Sequence, residues 1–198
     1  LVVGAKTGDL NLLLYSVFRI GKPTINISWE SYKTFADSPK VNWAIPLSLG
    51  DSHRGYPVLG TNANYFQHYS YGEKNKLVFE RGGVFTNLFD VVIGSEIASK
   101  LNYKVGDDLV ISHGISKISF IKHDDTPFKI VGVLKPTGTP VDRTLHVSLQ
   151  AIESIHDGEI YKQNAGEDST NEKIIKGKNQ VPKSVSAFLI GLKSKITT

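Results

Sequence analysis

Apolar positions along the 198 residues fall into short runs whose spacing alternates between that of strands and that of helices. "LVVGA" closes on Gly4 and reads as a strand. In "DLNLLLYSVF", Leu10, Leu13, Leu14 and Val17 recur at helical spacing behind Asp9, which is placed to cap. "SWESYKTFADSP" predicts a second helix, capped by Ser28, with Trp29, Tyr32, Phe35 and Ala36 on one face and Pro39 as its stop. "VNWAIPLSLG" and "GYPVLGT", separated by "DSHR", predict a hairpin with Pro46 at a bulge or an edge. "NANYFQHY" predicts a short helix that turns Tyr65, Phe66 and Tyr69 to the core.

The most legible section is "DVVIGSEIASKLNYKVGDDLVIS". It predicts a strand from Val91 to Ile93, a turn at Gly94, a helix from Ser95 to Leu101 capped by Ser95, a positive φ at Gly106, and a strand from Leu109 to Ser112. "ISKISFIKH" alternates as a half-buried strand does, and "TPFKIVGVLKP" and "TLHVSL" add two more. "SLQAIESIHDG" predicts a helix capped by Ser148 with Ile152 and Ile155 inward. The stretch "DGEIYKQNAGEDSTNEKIIKGKNQVPK" is polar and without period, so it reads as a flexible loop before a last strand in "SVSAFLIGLKS". Strands and helices are thus mixed, with the β-rich part between Val91 and Leu149 and no internal repeat.

Composition narrows what such a chain does. With 40% hydrophobic residues there is enough apolar matter for a packed core. No run of about 18 apolar residues crosses a bilayer and no leader opens the chain. Met is absent and the chain starts directly on "LVVGAK", so it is expected to be cut from a longer polypeptide with membrane segments beyond it. A net charge of +4 raises nucleic acid as a partner, but the arginines are Arg19, Arg54, Arg81 and Arg143, far apart, and lysines alternate with acids. Phosphate tracking needs clustered cations, so no nucleic-acid partner is expected. The absence of cysteine removes disulfides, thiolate metal sites and a cysteine nucleophile.

Candidate chemistry gathers in "FKIVGVLKPTGTPVDRTLHVSL", Phe128 to Leu149. A hydrolase would pair His146 with Asp142 and a hydroxyl from Thr137, Thr139 or Ser148. The chain has no G-x-S-x-G elbow to aim such a nucleophile, and in a strand His146 and Ser148 share a face that reads as solvent-facing. A metal-dependent enzyme would use the cluster His123, Asp124 and Asp125, although the six histidines never fall at i, i+4. Gly94 at a strand-to-helix junction is not a phosphate-binding glycine motif, so no cofactor is expected. The loop also has a purely structural reading. Pro136 and Pro140 fix φ, Gly138 relaxes it, Asp142 accepts hydrogen bonds from its own turn, and Arg143 pairs with Asp142 or reaches a neighbour. Thr137, Gly138, Thr139, Pro140, Asp142 and Arg143 are therefore the candidate partner-contact or structural loop.

Three blocks in order carry a family resemblance: "VNWAIPLSLGDSHRGYPVLGTNANYF", "VVIGSEIASKLNYKVGDDLVIS" and "FKIVGVLKPTGTPVDRTLHVSL". Together they resemble the extracytoplasmic domain of ABC transporter permeases of the MacB and FtsX type. The family pattern places an aromatic short helix after a "GT" strand, here Tyr65 and Phe66. It opens a helix on "G-S-E" and closes it on "K-V-G-D", here within Ile93 to Asp107, and then has a strand "F-x-I-V-G-V", here Phe128 to Val133. The resemblance covers most of Leu1 to Leu149 and resumes around Ala187 to Leu192. The chain departs from the family in stopping at Thr198, where such domains continue.

The resemblance implies an α+β fold, a mixed α/β subdomain of Porter type with an inserted β-rich subdomain. Residues 1–87 and 184–198 would form the first, 88–156 the second, and 157–183 a polar flexible loop. It further implies a non-catalytic domain outside the cytoplasmic membrane, coupling ATP hydrolysis by a cytoplasmic ATPase subunit to substrate export or lipoprotein release. Its other partners would be a second permease copy, forming a dimer, and an envelope protein or lipoprotein. A soluble hydrolase or metal-dependent enzyme, and a freestanding ligand- or lipoprotein-binding module, are the alternatives.

Overall fold

The structure, a computed structural model, describes residues 1–6, 8–113, 127–162 and 181–193. In chain order, the first half contains β1 (Val2–Gly4), α1 (Asp9–Ser16), β2 (Ile27–Ser28), α2 (Trp29–Ala36), β3 (Val41–His53), β4 (Tyr56–Thr61), α3 (Asn64–His68), β5 (Ser70–Tyr71), β6 (Asn75–Lys76) and β7 (Phe79–Gly82). The second half contains β8 (Asp90–Ile93), α4 (Ser95–Leu101), β9 (Asp108–Leu109), β10 (Ser112–His113), β11 (Phe128–Leu134), a 3₁₀ turn (Pro140–Arg143), β12 (Leu145–Ser148), α5 (Leu149–Lys162), β13 (Ser184–Val185) and β14 (Ala187–Leu192). The α+β class is as expected.

Among the described residues, one ten-stranded mixed sheet organises the fold, in the order β1-β14-β3-β4-β12-β8-β11-β7, with β10 against β3 and β9 against β11. The pairs β4–β12 and β8–β11 are parallel. A parallel pair needs a crossover, which α4 supplies between β8 and β11. Both faces of the sheet are covered, as alternation along β8 makes visible. Val91 and Ile93 pack with Ile97 of α4 and Ile152 and Ile155 of α5, while Val92 packs with Tyr15 of α1 and Tyr65 and Phe66 of α3. Successive strand residues point to opposite faces, so α4 and α5 lie on one side and α1 and α3 on the other. A third cluster joins α2 to the end of the sheet through Tyr32, Val185 and Phe188.

β3 is long because it changes partners. Val41 to Leu47 pair with β14, and Ser48 to His53 pair with β4. Pro46 lies inside that strand, opposite Phe188, and its carbonyl accepts from Thr61 Oγ1 at 2.8 Å. It stands where the strand has not yet met β4, so its missing N–H costs that ladder nothing. The β3–β4 turn is tighter than the expected "DSHR": Arg54 and Gly55, at φ 49° and 85°, make it alone. Two positive φ values give the twist that suits a two-residue hairpin.

The helices hold four corrections. Leu10 and Leu13, the expected inner stripe of α1, are exposed; the helix packs instead through Tyr15, whose hydroxyl donates to the Ser186 carbonyl at 3.3 Å. Asp9 does not cap it, since Gly8 holds the capping position and Asp9 is the first helical residue. Likewise Gly94, not Ser95, precedes α4, without a side-chain cap. Ser28 and Ser148 do cap, accepting from the amides of Ser31 at 3.2 Å and Ala151 at 3.1 Å. α5 runs to Lys162, past the point where the polar loop was expected to begin. The expected "ISKISFIKH" strand lies outside the described residues.

In the strand order β12, β8 and β11 lie between β4 and β7.

Candidate functional site

The "PTGTPVDRT" stretch leaves the end of β11 and returns as β12. Asp142 organises it. Its carboxylate accepts from the Thr137 amide at 2.8 and 3.1 Å, the Thr137 hydroxyl at 2.8 Å and the Gly138 amide at 2.8 Å. Gly138 takes φ 69°, which lets two successive amides turn towards one carboxylate. Thr139 Oγ1 accepts from the Val141 amide at 3.3 Å and so caps the 3₁₀ turn, which Pro140 opens with its φ already set. Thr144 Oγ1 closes it on the Pro140 carbonyl at 2.8 Å, and Val141 is buried as its anchor.

The turn sits on the start of α4. The Gly94 amide donates to the Thr144 carbonyl at 3.1 Å, and a Cβ built on Gly94 would overlap the carbonyl oxygens of Val141 and Asp142. Gly94 is thus required by close approach, although its φ of −72° is open to any residue. Arg143 does not pair with Asp142. Its Nε lies 3.5 Å from Glu96 Oε1 of α4, a carboxylate that also meets Lys100 at 2.9 Å. Arg143 and Lys100 are well exposed, so water screens this three-group contact. Glu96 is the partner that local sequence reasoning missed; a carboxylate in the first turn of a helix was the available signal.

Asp142 and His146 are each engaged elsewhere and not with one another. The Asp142 carboxylate is occupied by its own loop. His146 is fully buried on the β12 face opposite Leu145 and Val147, which corrects the solvent-facing expectation. Its ring lies against Tyr65 at 5.0 Å and Phe66 at 5.8 Å between centroids, and Nδ1 meets the Val92 carbonyl at 3.3 Å. Nε2 has no hydrogen-bond partner among the described residues. Burial, reinforced by the Arg19 charge, lowers the imidazole from 6.5 to about 3, so at neutral pH it is an uncharged core ring.

Two further histidines play structural parts. His53 is buried between the Val110 carbonyl, 2.6 Å from Nδ1, and the Tyr103 hydroxyl, 2.9 Å from Nε2, and burial lowers its pKa. His156 Nε2 meets the buried Asp51 carboxylate at 3.3 Å, tying α5 to β3. His123, Asp124 and Asp125 lie outside the described residues. Among the described residues no group of three or more histidines and acids is placed to hold a metal ion.

The model of the family described as the MacB-like periplasmic core domain matches residues 5–179. Curated protein sequences yield no match. Among solved structures, the periplasmic region of MacB from Actinobacillus actinomycetemcomitans is 11% identical at a TM-score of 0.52, covering all of this chain and 75% of that one. The extracellular domain of the ABC-type transporter YknZ from Gram-positive bacteria is 14% identical at 0.47, with 86% and 75% covered. A domain of a permease protein from Porphyromonas gingivalis is 12% identical at 0.47, with 87% and 65% covered. At such identities the first of these speaks for the fold alone.

Proposed function

The chain belongs to the MacB-like periplasmic core domain family, and from that premise we propose that it is the extracytoplasmic module of an ABC transporter permease which couples ATP hydrolysis to movement outside the membrane. The observation that carries this reading is the family match over residues 5–179. In this role the domain performs no chemistry of its own. A cytoplasmic ATPase subunit hydrolyses ATP, two permease copies work as a pair, and the domain passes the motion to an exported substrate, a lipoprotein or an envelope partner. The non-catalytic assignment draws support from the engaged Asp142 and the buried His146. The loop from Thr137 to Arg143, braced on α4, is the proposed partner contact.

The absence of cysteine makes the test direct, because this domain adds no background to thiol labelling. A Glu73→Cys variant, at an exposed turn, is expressed in an otherwise cysteine-free full-length protein in its own membrane. The expected result is reaction with a membrane-impermeant maleimide in intact cells. Labelling that requires permeabilised membranes would overturn the extracytoplasmic placement. Coupling is read separately, as ATPase activity of the co-expressed ATP-binding subunit with and without the permease.

A further inference from the structure

Among the described residues the sheet ends at β7, and a hollow of about 260 Å³ lies between that strand and α4. We propose that this hollow docks an extended, acidic segment of a partner polypeptide. The proposal stands on the hollow's own side chains and does not rest on the permease reading.

Its lining sets Ala98, Tyr103 and Val133 beside polar groups that are cationic on balance. β7 contributes Glu80 and Arg81, α4 contributes Ser95 and Ser99, and the turn after it contributes Asn102 and Lys104. Arg81 and Lys104 take part in no ion pair among the described residues, and the two hydroxyls and the Asn102 amide make no side-chain hydrogen bond there. Two unpaired cations and three uncommitted donors thus face a space containing one carboxylate. A carboxylate entering it meets partners already in place; a lysine meets like charge.

The shape of the occupant follows from the edge. Among the described residues β7 pairs with β11 alone, so the backbone groups of its other side are open there to a further strand. The edge is not indiscriminate. Its register shifts opposite Val133 and Leu134, and it carries Glu80 and Arg81, features that discourage pairing with unselected strands. Matching charge is what admits a partner here, with side chains on one face of the added strand reaching the hollow beside α4.

The test titrates the 198-residue chain with a fluorescein-labelled hexapeptide alternating Glu with Thr and Val, with its Gln-for-Glu counterpart, and with inorganic phosphate. Binding is read by anisotropy and by amide shifts at residues 79–82 and 102–104. The acidic peptide is expected to bind saturably, and more weakly as salt rises. Arg81→Gln and Lys104→Gln should each weaken it about two- to fivefold, and Glu80→Gln should tighten it by a similar factor, the range for exposed charge contacts. All three side chains are exposed, so folding is not at issue. No saturable binding, equal binding of the Gln peptide, or indifference to all three variants would each overturn the proposal. Phosphate reproducing the shifts at Arg81 and Lys104 and displacing the peptide would show a general anion site, and would equally overturn the polypeptide assignment.

Discussion

Gly94 and Val141 approach so closely that no side chain fits between them, since a Cβ on Gly94 would overlap the Val141 carbonyl oxygen. The obstructing atoms are backbone, so Gly94→Ala has to push the 3₁₀ turn off the start of α4. We expect a loss of about 1–3 kcal/mol, the usual cost of overfilling a packed site. Urea unfolding should register it as a lower midpoint at unchanged slope. A midpoint equal to that of the parent chain would mean that the turn yields freely.

Asp142 should hold the loop more strongly than any other side chain in it. Asp142→Ala leaves the amides of Thr137 and Gly138 without their carboxylate, at about 1.5–3 kcal/mol for hydrogen bonds to a charged group. Hydrogen exchange at those two amides should accelerate well beyond the change at Val92. Asp142→Asn, which keeps one acceptor oxygen, should fall in between. Unaltered exchange at Thr137 in the alanine variant would refute the organising role.

The contact between Arg143 and Glu96 should be weak in the isolated domain. A double-mutant cycle with Arg143→Gln and Glu96→Gln is expected to give a coupling below about 1 kcal/mol, because the pair is solvent-screened. In the full-length permease the same Arg143→Gln change is expected to lower transport while leaving the domain's unfolding curve in place. A strong coupling in the isolated domain would instead make Arg143 a structural clasp.

His146 should make the fold sensitive to acid. The unfolded chain takes up its proton near pH 6.5, whereas the folded chain resists until about 3. Stability from this residue is therefore fully present above about pH 6.5 and declines as pH falls towards 3, by at most about 1.4 kcal/mol per pH unit. His146→Leu should flatten this slope between pH 6 and 4 in urea titrations. His53, whose pKa burial also lowers, retains a smaller dependence of the same sign. A variant with the parent's full slope would place the acid sensitivity elsewhere.

Local patterns made α2, α3 and the β8-α4 unit legible, because turn residues and periodicity point the same way there, with the Ser28 cap adding to them at α2. The Asp142 turn was legible for the same reason: a short acid among Thr, Gly and Pro finds its own backbone first. What failed depended on partners remote in sequence. α1 turns Tyr15 and Leu12 inward instead of Leu10 and Leu13, against core residues such as Ile45 and Tyr65 that are remote in sequence. His146 alternates correctly along β12, but which face is covered depends on α3 lying across it. Arg81 and Lys104 stand alone in the chain and become neighbours only when β7 is laid beside α4.

The pairing of β1 with β14 has a mechanical meaning. The Leu1 nitrogen donates to the Ile190 carbonyl at 2.9 Å, and the Ile190 amide returns a bond to the Leu1 carbonyl at 3.0 Å. The two outermost strands at this side run antiparallel, so the chain enters at Leu1 beside the place where it leaves after Leu192. A force that draws both strands the same way grips the sheet as a single handle and is spread across the neighbouring ladder to β3. A force that draws them apart peels their hydrogen bonds one after another.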